Sequence, residues 1–138
     1  LNKKSVLKVL HSGRQDIEIF YKISGKIPSP IFDTQVAAMV CGFGDSVGYE
    51  KLVDKILKKK IDKSSRFSNW AKRPLTKQQL QYAIGDVTHL YEIYPILNNK
   101  LKETKRTKWL DEDWVHRLNE EAQQQVSSFL KQFEKIGK

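Results

Sequence analysis

The sequence predicts an α/β domain in which two short strands and one helix come first and helices alone follow. Apolar runs at residues 6–10 and 31–33 have the length and composition of buried strands. Apolar residues then recur at helical spacing over residues 76–101. Because two short strands make a marginal sheet alone, the pattern is typical of the second half of an α/β domain whose sheet begins upstream.

The first strand is followed by a predicted helix. Ser12 and Gln15 have the spacing of a capping box, which places the start of this helix near Ser12. Gly25 suits the position just after the helix end. Two prolines then favour extended backbone before the second strand at 31–33. We expect the two strands to belong to one sheet.

Two further short helices are predicted after the second strand. Asp33 is placed as the N-cap of a helix over residues 34–41. Ser46 is placed to cap the next helix, which has apolar residues at three- and four-residue spacing. Residues 58–70 are basic and contain serines, so a loop is predicted there.

The clearest helix is predicted over residues 76–104. Thr76 and Gln79 form a second capping-box pattern. The predicted core stripe of this helix is Leu80, Ala83, Ile84, Val87, Leu90, Tyr91, Tyr94, Leu97 and Leu101. Pro95 lies within the helix, so we expect a bend near it. A last amphipathic helix is predicted from about residue 111 to residue 133.

Composition narrows the class of protein. The chain has 138 residues, the size of one domain, a net charge of +9 and a pI of about 9.6. This charge favours a polyanionic partner, nucleic acid first and a membrane surface second. There is no apolar run of ~18 residues, so no membrane span is expected, and no signal peptide is recognisable. The single cysteine, Cys41, cannot form an internal disulfide, which fits a cytoplasmic setting.

Five polar residues are candidates for a functional site. Tyr82, Asp86 and His89 share one face of the long helix, beside its apolar stripe. An acid and a phenol four residues apart suit either a metal and a water or an ordinary solvated face. Asp16 is placed either to interact with the helix dipole or to serve a site at the end of a strand. His11, just after the first strand, either packs or reaches that site.

Several linked motifs closely resemble the ribonuclease D family. The segment Trp70-Ala71-Lys72-Arg73-Pro74-Leu75 followed by Tyr82-Ala83-Ile84-Gly85-Asp86-Val87 is similar to the family's W-x-x-R-P-L and Y-A-x-x-D-V motifs. Upstream, Lys8-Val9-Leu10-His11 with Asp16 resembles its K-V-x-H-x-x-x-x-D segment, and Asp33-Thr34-Gln35 resembles its D-T-Q segment. The resemblance covers about residues 5 to 110.

The resemblance implies a DEDD-type 3′-5′ exonuclease on a ribonuclease H-like fold. In that family, four acids hold two divalent metals, Mg²⁺ or Mn²⁺. By position, Asp86 resembles the fourth acid and Asp16 the third, which makes both implied metal ligands. Tyr82 places the chain in the tyrosine branch and would orient the attacking water. Two hard cations close together would activate that water and stabilise the leaving 3′ oxygen.

The chain departs from the family pattern at its start. The family's first two acids lie on a strand upstream of the third, whereas the fifteen residues before Asp16 contain no Asp or Glu. We therefore expect residues 1–106 to be a partial exonuclease domain and residues 107–138 a helical extension. Asn69 stands where relatives often have Asp, which affects no implied ligand.

Basic residues around the predicted loop are candidates for RNA contacts. They are Lys63, Arg66, Lys72 and Arg73, with His11 as a further candidate. Phe67 and Trp70 lie among them, an arrangement that suits either a single-strand path or a solvated loop. For Trp70 we favour packing into the domain, since it precedes the long helix.

The resemblance implies removal of 3′-terminal nucleotides from RNA, as in transfer-RNA end processing. Because half of the expected metal cage is missing, we expect the lone chain to be a very poor nuclease. Two alternatives follow. One is a catalytically dead nucleic-acid-binding or interaction module, and the other is a split enzyme whose missing strand comes from another polypeptide. We also expect Asp16, Tyr82 and Asp86 to converge on one cleft.

Overall fold

The computed structural model describes residues 3–105, and the predicted helix at 111–133 lies outside them, as does the predicted extension at 107–138. The elements are strand β1 (Lys8–Leu10), helix α1 (Arg14–Ser24), strand β2 (Ile31–Asp33), and helices α2 (Thr34–Val40), α3 (Tyr49–Leu57) and α4 (Lys77–Glu103). This order confirms the predicted succession of strand, helix, strand and helices.

The two strands form one parallel sheet. Val9 lies opposite Phe32, and the register continues to the pair Leu10 and Asp33. The backbone N–H of Lys8 donates to the carbonyl of Pro30 at 3.0 Å, which extends the pairing by one residue. The prediction of one sheet is confirmed, with β1 shorter than the apolar run that predicted it.

Asp33 joins the starts of two helices. Its side chain caps α2 by accepting from the N–H of Gln35 at 2.8 Å, as predicted. It also accepts from the N–H groups of Ser12 at 3.1 Å and Gly13 at 2.9 Å. The carboxylate therefore fixes the loop between β1 and α1 onto the end of β2.

The capping serines predicted for α1 and α3 are wrong. The N-cap of α1 is Gly13, without a side-chain cap, and Ser12 has a left-handed φ of 53° while its N–H binds Asp33. A Cβ on Gly13 would come within 2.7 Å of the Leu10 side chain, so only glycine fits there. The N-cap of α3 is Gly48. The predicted end of α1 is confirmed, since Gly25 ends this helix with a left-handed φ of 65°.

Helix α4 begins with the predicted capping box. Thr76 accepts from the N–H of Gln79 at 3.2 Å, and the Gln79 side chain accepts from the N–H of Thr76 at 2.9 Å. The helix runs on across Pro95. The bend there stays a prediction.

The core lies between α2, α3 and the second half of α4. Its buried residues include Ala37, Ala38, Leu52, Val53, Ile93, Leu97 and Leu101. Cys41 packs against this cluster, in keeping with its interpretation as a small apolar residue. Phe32 of β2 makes an edge-to-face contact with Tyr94 of α4, with ring centroids 4.9 Å apart.

The predicted apolar stripe of α4 is wrong for the first half of the helix. Leu80, Ile84, Val87 and Tyr91 are 47–83% exposed, and Ala83 is exposed as well. The fully buried residues are Ile93, Leu97 and Leu101, the first of which was outside the predicted stripe. The α2–α3 core meets the C-terminal half of α4, so the N-terminal half buries a different, more polar face. That face carries Tyr82, Asp86 and His89.

Candidate active site

A pocket of about 150 Å³ lies between the loop before α4 and the first turns of that helix. One wall comes from the loop and consists of Lys60, Ile61, Asp62 and Ser65. The other comes from α4 and consists of Gln78, Gln81, Tyr82, Gly85, Asp86 and His89. The shared helix face that made Tyr82, Asp86 and His89 candidates therefore forms one wall of a concave site.

Tyr82 is positioned by the motif that precedes the helix. The ring of Trp70 lies 5.9 Å from that of Tyr82, centroid to centroid, in a tilted arrangement. The side-chain amide of Gln79, only 4% exposed, donates to Ser68 Oγ at 3.0 Å and to the carbonyl of Asn69 at 3.1 Å. The loop is thus fastened to the first turn of α4, and Trp70 packs as predicted, against the candidate catalytic phenol.

Tyr49 of α3 hydrogen-bonds to the backbone of the helix turn that carries Asp86. The Tyr49 hydroxyl donates to the backbone carbonyls of Asp86 at 2.9 Å and Gly85 at 3.3 Å. Burial, with the nearby Asp86 and Tyr82, raises the pKa of the Tyr49 hydroxyl well above its usual range, so it remains a donor. This contact fixes the helix turn that carries the Asp86 carboxylate.

Burial makes the ionisation of Asp86 less favourable. Burial raises the pKa of its carboxyl, and the nearby His89 opposes this only in part. A positive charge beside Asp86 would reverse the effect of burial and favour the ionised form.

His11 packs beside the site and does not line the pocket. Thr34 Oγ1 donates to the carbonyl of Leu10 at 3.0 Å, so the 2.9 Å contact between Thr34 Oγ1 and His11 Nδ1 has the imidazole as donor. The ring centroid of His11 is 5.5 Å from that of Tyr49. Burial lowers the pKa of His11, although Asp33 and the carbonyl of Val47 act in the opposite direction.

Asp16 lies exposed in the first turn of α1 and is not among the residues that line the pocket. The convergence of the Asp16 carboxylate with the Asp86 carboxylate and the Tyr82 hydroxyl on one cleft stays a prediction. Tyr49 is the contributor that sequence reasoning missed. Its place among the regularly spaced apolar residues of α3 indicates only packing, and no local signal links it to a helix turn more than 35 residues away.

The donors on the pocket wall fit part of a metal site. They are the carboxylate of Asp86, the carboxylate of Asp62, which already accepts from the N–H of Ser64 at 2.8 Å, and the Nδ1 atom of His89, which is buried and has no hydrogen-bond partner within residues 3–105. In that same part of the chain, no three His, Cys, Asp or Glu side chains come together as a metal-binding group. These donors suit one partly hydrated divalent ion and are too few for a two-ion centre.

The candidate RNA-contact residues differ in their present partners. Lys63 pairs with Glu50 at 2.5 Å, and Arg73 donates to the carbonyls of Trp70 and Lys72 at 2.7 and 3.0 Å. Lys72 is exposed on the surface. The guanidinium of Arg66 lies over the ring of Phe67, 5.5 Å from its centroid. Arg73 therefore has a structural role in its loop, whatever else it binds.

Helices in the described range give no candidate for a membrane span, since none is both long and apolar enough.

Comparison with known proteins identifies relatives of this arrangement. The sequence profile of the 3′-5′ exonuclease family matches residues 1–102. Ribonuclease D of Jannaschia sp. is 55% identical over 118 residues, which are 86% of this chain and 31% of that protein. Ribonuclease D of Bartonella henselae is 50% identical over 113 residues, or 82% and 28% of the two chains. The chain thus spans about three tenths of the length of these curated relatives.

Solved structures agree with the sequence comparison. Escherichia coli RNase D, described as an exoribonuclease involved in structured RNA processing, matches with a TM-score of 0.75 and 34% identity over 89% of this chain and 32% of that one. NrnC of Brucella melitensis, solved with bound Mg²⁺, matches with a TM-score of 0.78 and 27% identity over 94% and 63% of the two chains. A further NrnC structure, bound to pGG, matches with a TM-score of 0.78 and 29% identity over 92% and 61%. These neighbours confirm the predicted ribonuclease H-like fold and the resemblance to ribonuclease D.

Proposed function

The chain belongs to the family of 3′-5′ exonucleases, and from that premise we propose that it forms part of a ribonuclease D-type exoribonuclease that removes nucleotides from RNA 3′ ends. The observation that supports this most directly is the pocket. Tyr82 and Asp86, the two residues of the family's tyrosine motif, lie on its wall with the carboxylate partly withdrawn from water. The proposed substrate class is a transfer-RNA precursor whose 3′ end is to be trimmed.

The roles proposed for the chain's own residues follow from their chemistry. Asp86, with Asp16 as the second carboxylate, would hold a divalent cation, Mg²⁺ or Mn²⁺. When bound, such a cation lowers the pKa of a coordinated water and neutralises charge on phosphate. Tyr82 would orient the water through its hydroxyl, and Trp70 would hold the phenol in place. Support for Mg²⁺ comes from the NrnC structure that contains it.

The net positive charge of the protein belongs to residues 1–105, the part of the chain that carries the pocket. Residues 106–138 contain six Lys and Arg and six Asp and Glu, so the net +9 belongs to residues 1–105. A surface of that charge attracts a polyanion and gives binding that weakens with salt. This supports nucleic acid as the partner. The cytoplasmic location remains a proposal based on the single cysteine.

The number of metal donors in residues 3–105 makes a second candidate necessary. The pocket wall carries Asp62, Asp86 and His89, and no three such side chains come together as a metal-binding group within residues 3–105, so the chain suits either one half of a split enzyme or a nucleic-acid-binding module derived from the nuclease. A polypeptide supplying an Asp-x-Glu strand is the partner proposed for the split form. It would complete the cage and cover β1 at the sheet edge.

Activity of the 138-residue chain tests these candidates. Single-stranded RNA labelled at its 3′ end is incubated with the purified chain and Mn²⁺ or Mg²⁺. We expect little release of mononucleotide, because two carboxylates cannot hold two ions at bridging distance. Adding a polypeptide that carries the Asp-x-Glu strand should restore release, and Asp86→Asn should abolish the restored activity.

The outcomes separate the candidates. Restoration supports the exonuclease, whereas binding of RNA with no restoration by any such strand supports the binding module. Tyr82→Phe serves as the matched variant, since it removes the hydroxyl and keeps the ring contact with Trp70. Robust degradation by the lone chain, lost in Asp86→Asn, would show that another residue completes the cage and that the expected inactivity is wrong.

A further inference from the structure

The ring of Phe67 is 90% exposed, which makes it the most exposed of the large apolar side chains in the described structure. It lies at the tip of a tight turn. The N–H of Ser68 donates to the carbonyl of Ser65 at 3.2 Å, and Ser68 Oγ donates to the same carbonyl at 2.7 Å. The two residues between them, Arg66 and Phe67, occupy the central positions of the turn, from which side chains project outward.

The turn is anchored to the candidate site. Ser65 is only 6% exposed and lines the pocket, and Ser68 accepts a hydrogen bond from the buried amide of Gln79. Gln79 stands one helical turn before Tyr82 on α4. Because Phe67 is two residues from Ser65, its backbone lies within about 7 Å of the pocket wall. The turn therefore holds the backbone of Phe67 beside the pocket.

The surroundings of Phe67 are positively charged. Arg66 lies over the ring, 5.5 Å from its centroid. Lys58, Lys60 and Lys72 belong to the same loop and form no salt bridge among residues 3–105, whereas Lys59 and Lys63 do. Lys60 also lines the pocket. An exposed aromatic ring beside an arginine, in a loop that carries further lysines without salt bridges, matches the two needs of single-stranded nucleic acid, a stacking partner for bases and counter-charge for phosphates.

We propose that Phe67, together with Arg66, is a stacking platform for one base of a single-stranded nucleic acid whose 3′ end lies in the Tyr82–Asp86 pocket. This inference rests on the proposed function for the location of the 3′ end. Every base has a π-face, so the platform accepts any sequence and stacks RNA and DNA bases alike. The arginine above the ring adds a planar cation that also stacks.

The test measures binding of the 138-residue chain to 5′-fluorescein-labelled oligonucleotides by anisotropy, in EDTA so that cleavage is excluded. The ligands are a 12-residue single-stranded RNA, the DNA of the same sequence, and an abasic strand with the same number of phosphates. Phe67→Leu keeps an apolar side chain and removes the aromatic face. We expect about tenfold weaker binding of the two base-containing strands, with no change for the abasic strand.

Three variants serve as controls. Phe67→Trp should retain or strengthen binding. Tyr91→Leu removes another exposed aromatic, 83% exposed on α4, and should leave binding unchanged. Lys60→Gln should weaken the binding of all three strands and make the plot of log K against log salt less steep by about 1.

Three results would overturn the platform. The first is equal binding of base-containing strands by Phe67→Leu and the parent chain. The second is an equal loss on the abasic strand, and the third is no measurable binding by the parent chain. A loss confined to RNA or to DNA would contradict the claim that the platform stacks both kinds of base alike. Since the assay excludes metal and cleavage, its failure is distinct from a failure to restore nuclease activity.

Discussion

Replacing Gln79 by alanine removes the side chain that fastens the loop before α4 to the helix. The carboxamide makes three hydrogen bonds, to the N–H of Thr76, to Ser68 Oγ and to the carbonyl of Asn69. At roughly 0.5–1.5 kcal/mol net for each bond, the three together contribute about 1.5–4.5 kcal/mol. Asn69 is exposed and its carbonyl can regain water, and alanine favours the helix, so we expect a loss of about 2 kcal/mol in the free energy of unfolding.

The assay is urea denaturation followed by circular dichroism at 222 nm. Thr76→Ala is the matched control, because it removes only the cap that accepts from the N–H of Gln79 and should cost about 1 kcal/mol. Gln79→Glu keeps an acceptor for Thr76 but turns a buried carboxylate toward the Asn69 carbonyl, so it should cost at least as much as Gln79→Ala. Near-ultraviolet circular dichroism should also change in Gln79→Ala, since Trp70 loses its fixed place against Tyr82.

The refuting result is specific. If Gln79→Ala costs no more than Thr76→Ala, the bonds to Ser68 and Asn69 contribute nothing net. The claim that the loop is held on α4 by Gln79 would then be wrong.

Three further substitutions have expected outcomes. Gly85→Ala should raise the free energy of unfolding by about 0.5–1 kcal/mol in urea, because the added methyl would lie 3.6 Å from His89 Cε1, an ordinary contact; a loss would mean that this turn has no room. Asp86→Asn should raise Tm at pH 7. Burial raises the pKa of Asp86, so its ionisation destabilises the fold as pH rises above about 4. A rise in Tm that persists at pH 3, where the carboxyl is protonated, would contradict this cause. Burial lowers the pKa of His11 in the folded state alone, so the parent chain should lose stability as pH falls below about 6.5. His11→Gln has no group that titrates there, so its Tm should fall less between pH 7.5 and pH 5.5. Equal falls in Tm for the variant and the parent chain would refute this reasoning.

Local patterns predicted local structure well. The capping box of Thr76 and Gln79 and the glycine that ends α1 depend on residues within a few positions, and both are confirmed. The pairing of the two strands was also predictable, because both were apolar and joined by a helix. The capping serine predicted for α1 failed because the Asp33 carboxylate, about 20 residues away, accepts from the N–H groups of Ser12 and Gly13.

The candidate site was predictable in part. Helical spacing placed Tyr82, Asp86 and His89 on one face, and the pocket lies there. Spacing could not show which face of α4 meets the core, because both its faces carry apolar residues. It also could not show that Tyr49 supports the turn of Asp86, since that contact exists only once α3 and α4 are packed.

The division of α4 into a buried half and an exposed half has a consequence for its motions. Residues around Ile93, Leu97 and Leu101 open only when the core itself opens. The turns that carry Tyr82 and Asp86 are retained by a few contacts, chiefly those of Gln79, Tyr49 and Trp70. Their amide protons should exchange with solvent through small local openings, at lower free energy than those of the C-terminal half. One continuous helix therefore joins a rigid end that belongs to the scaffold to an adjustable end that reaches the pocket.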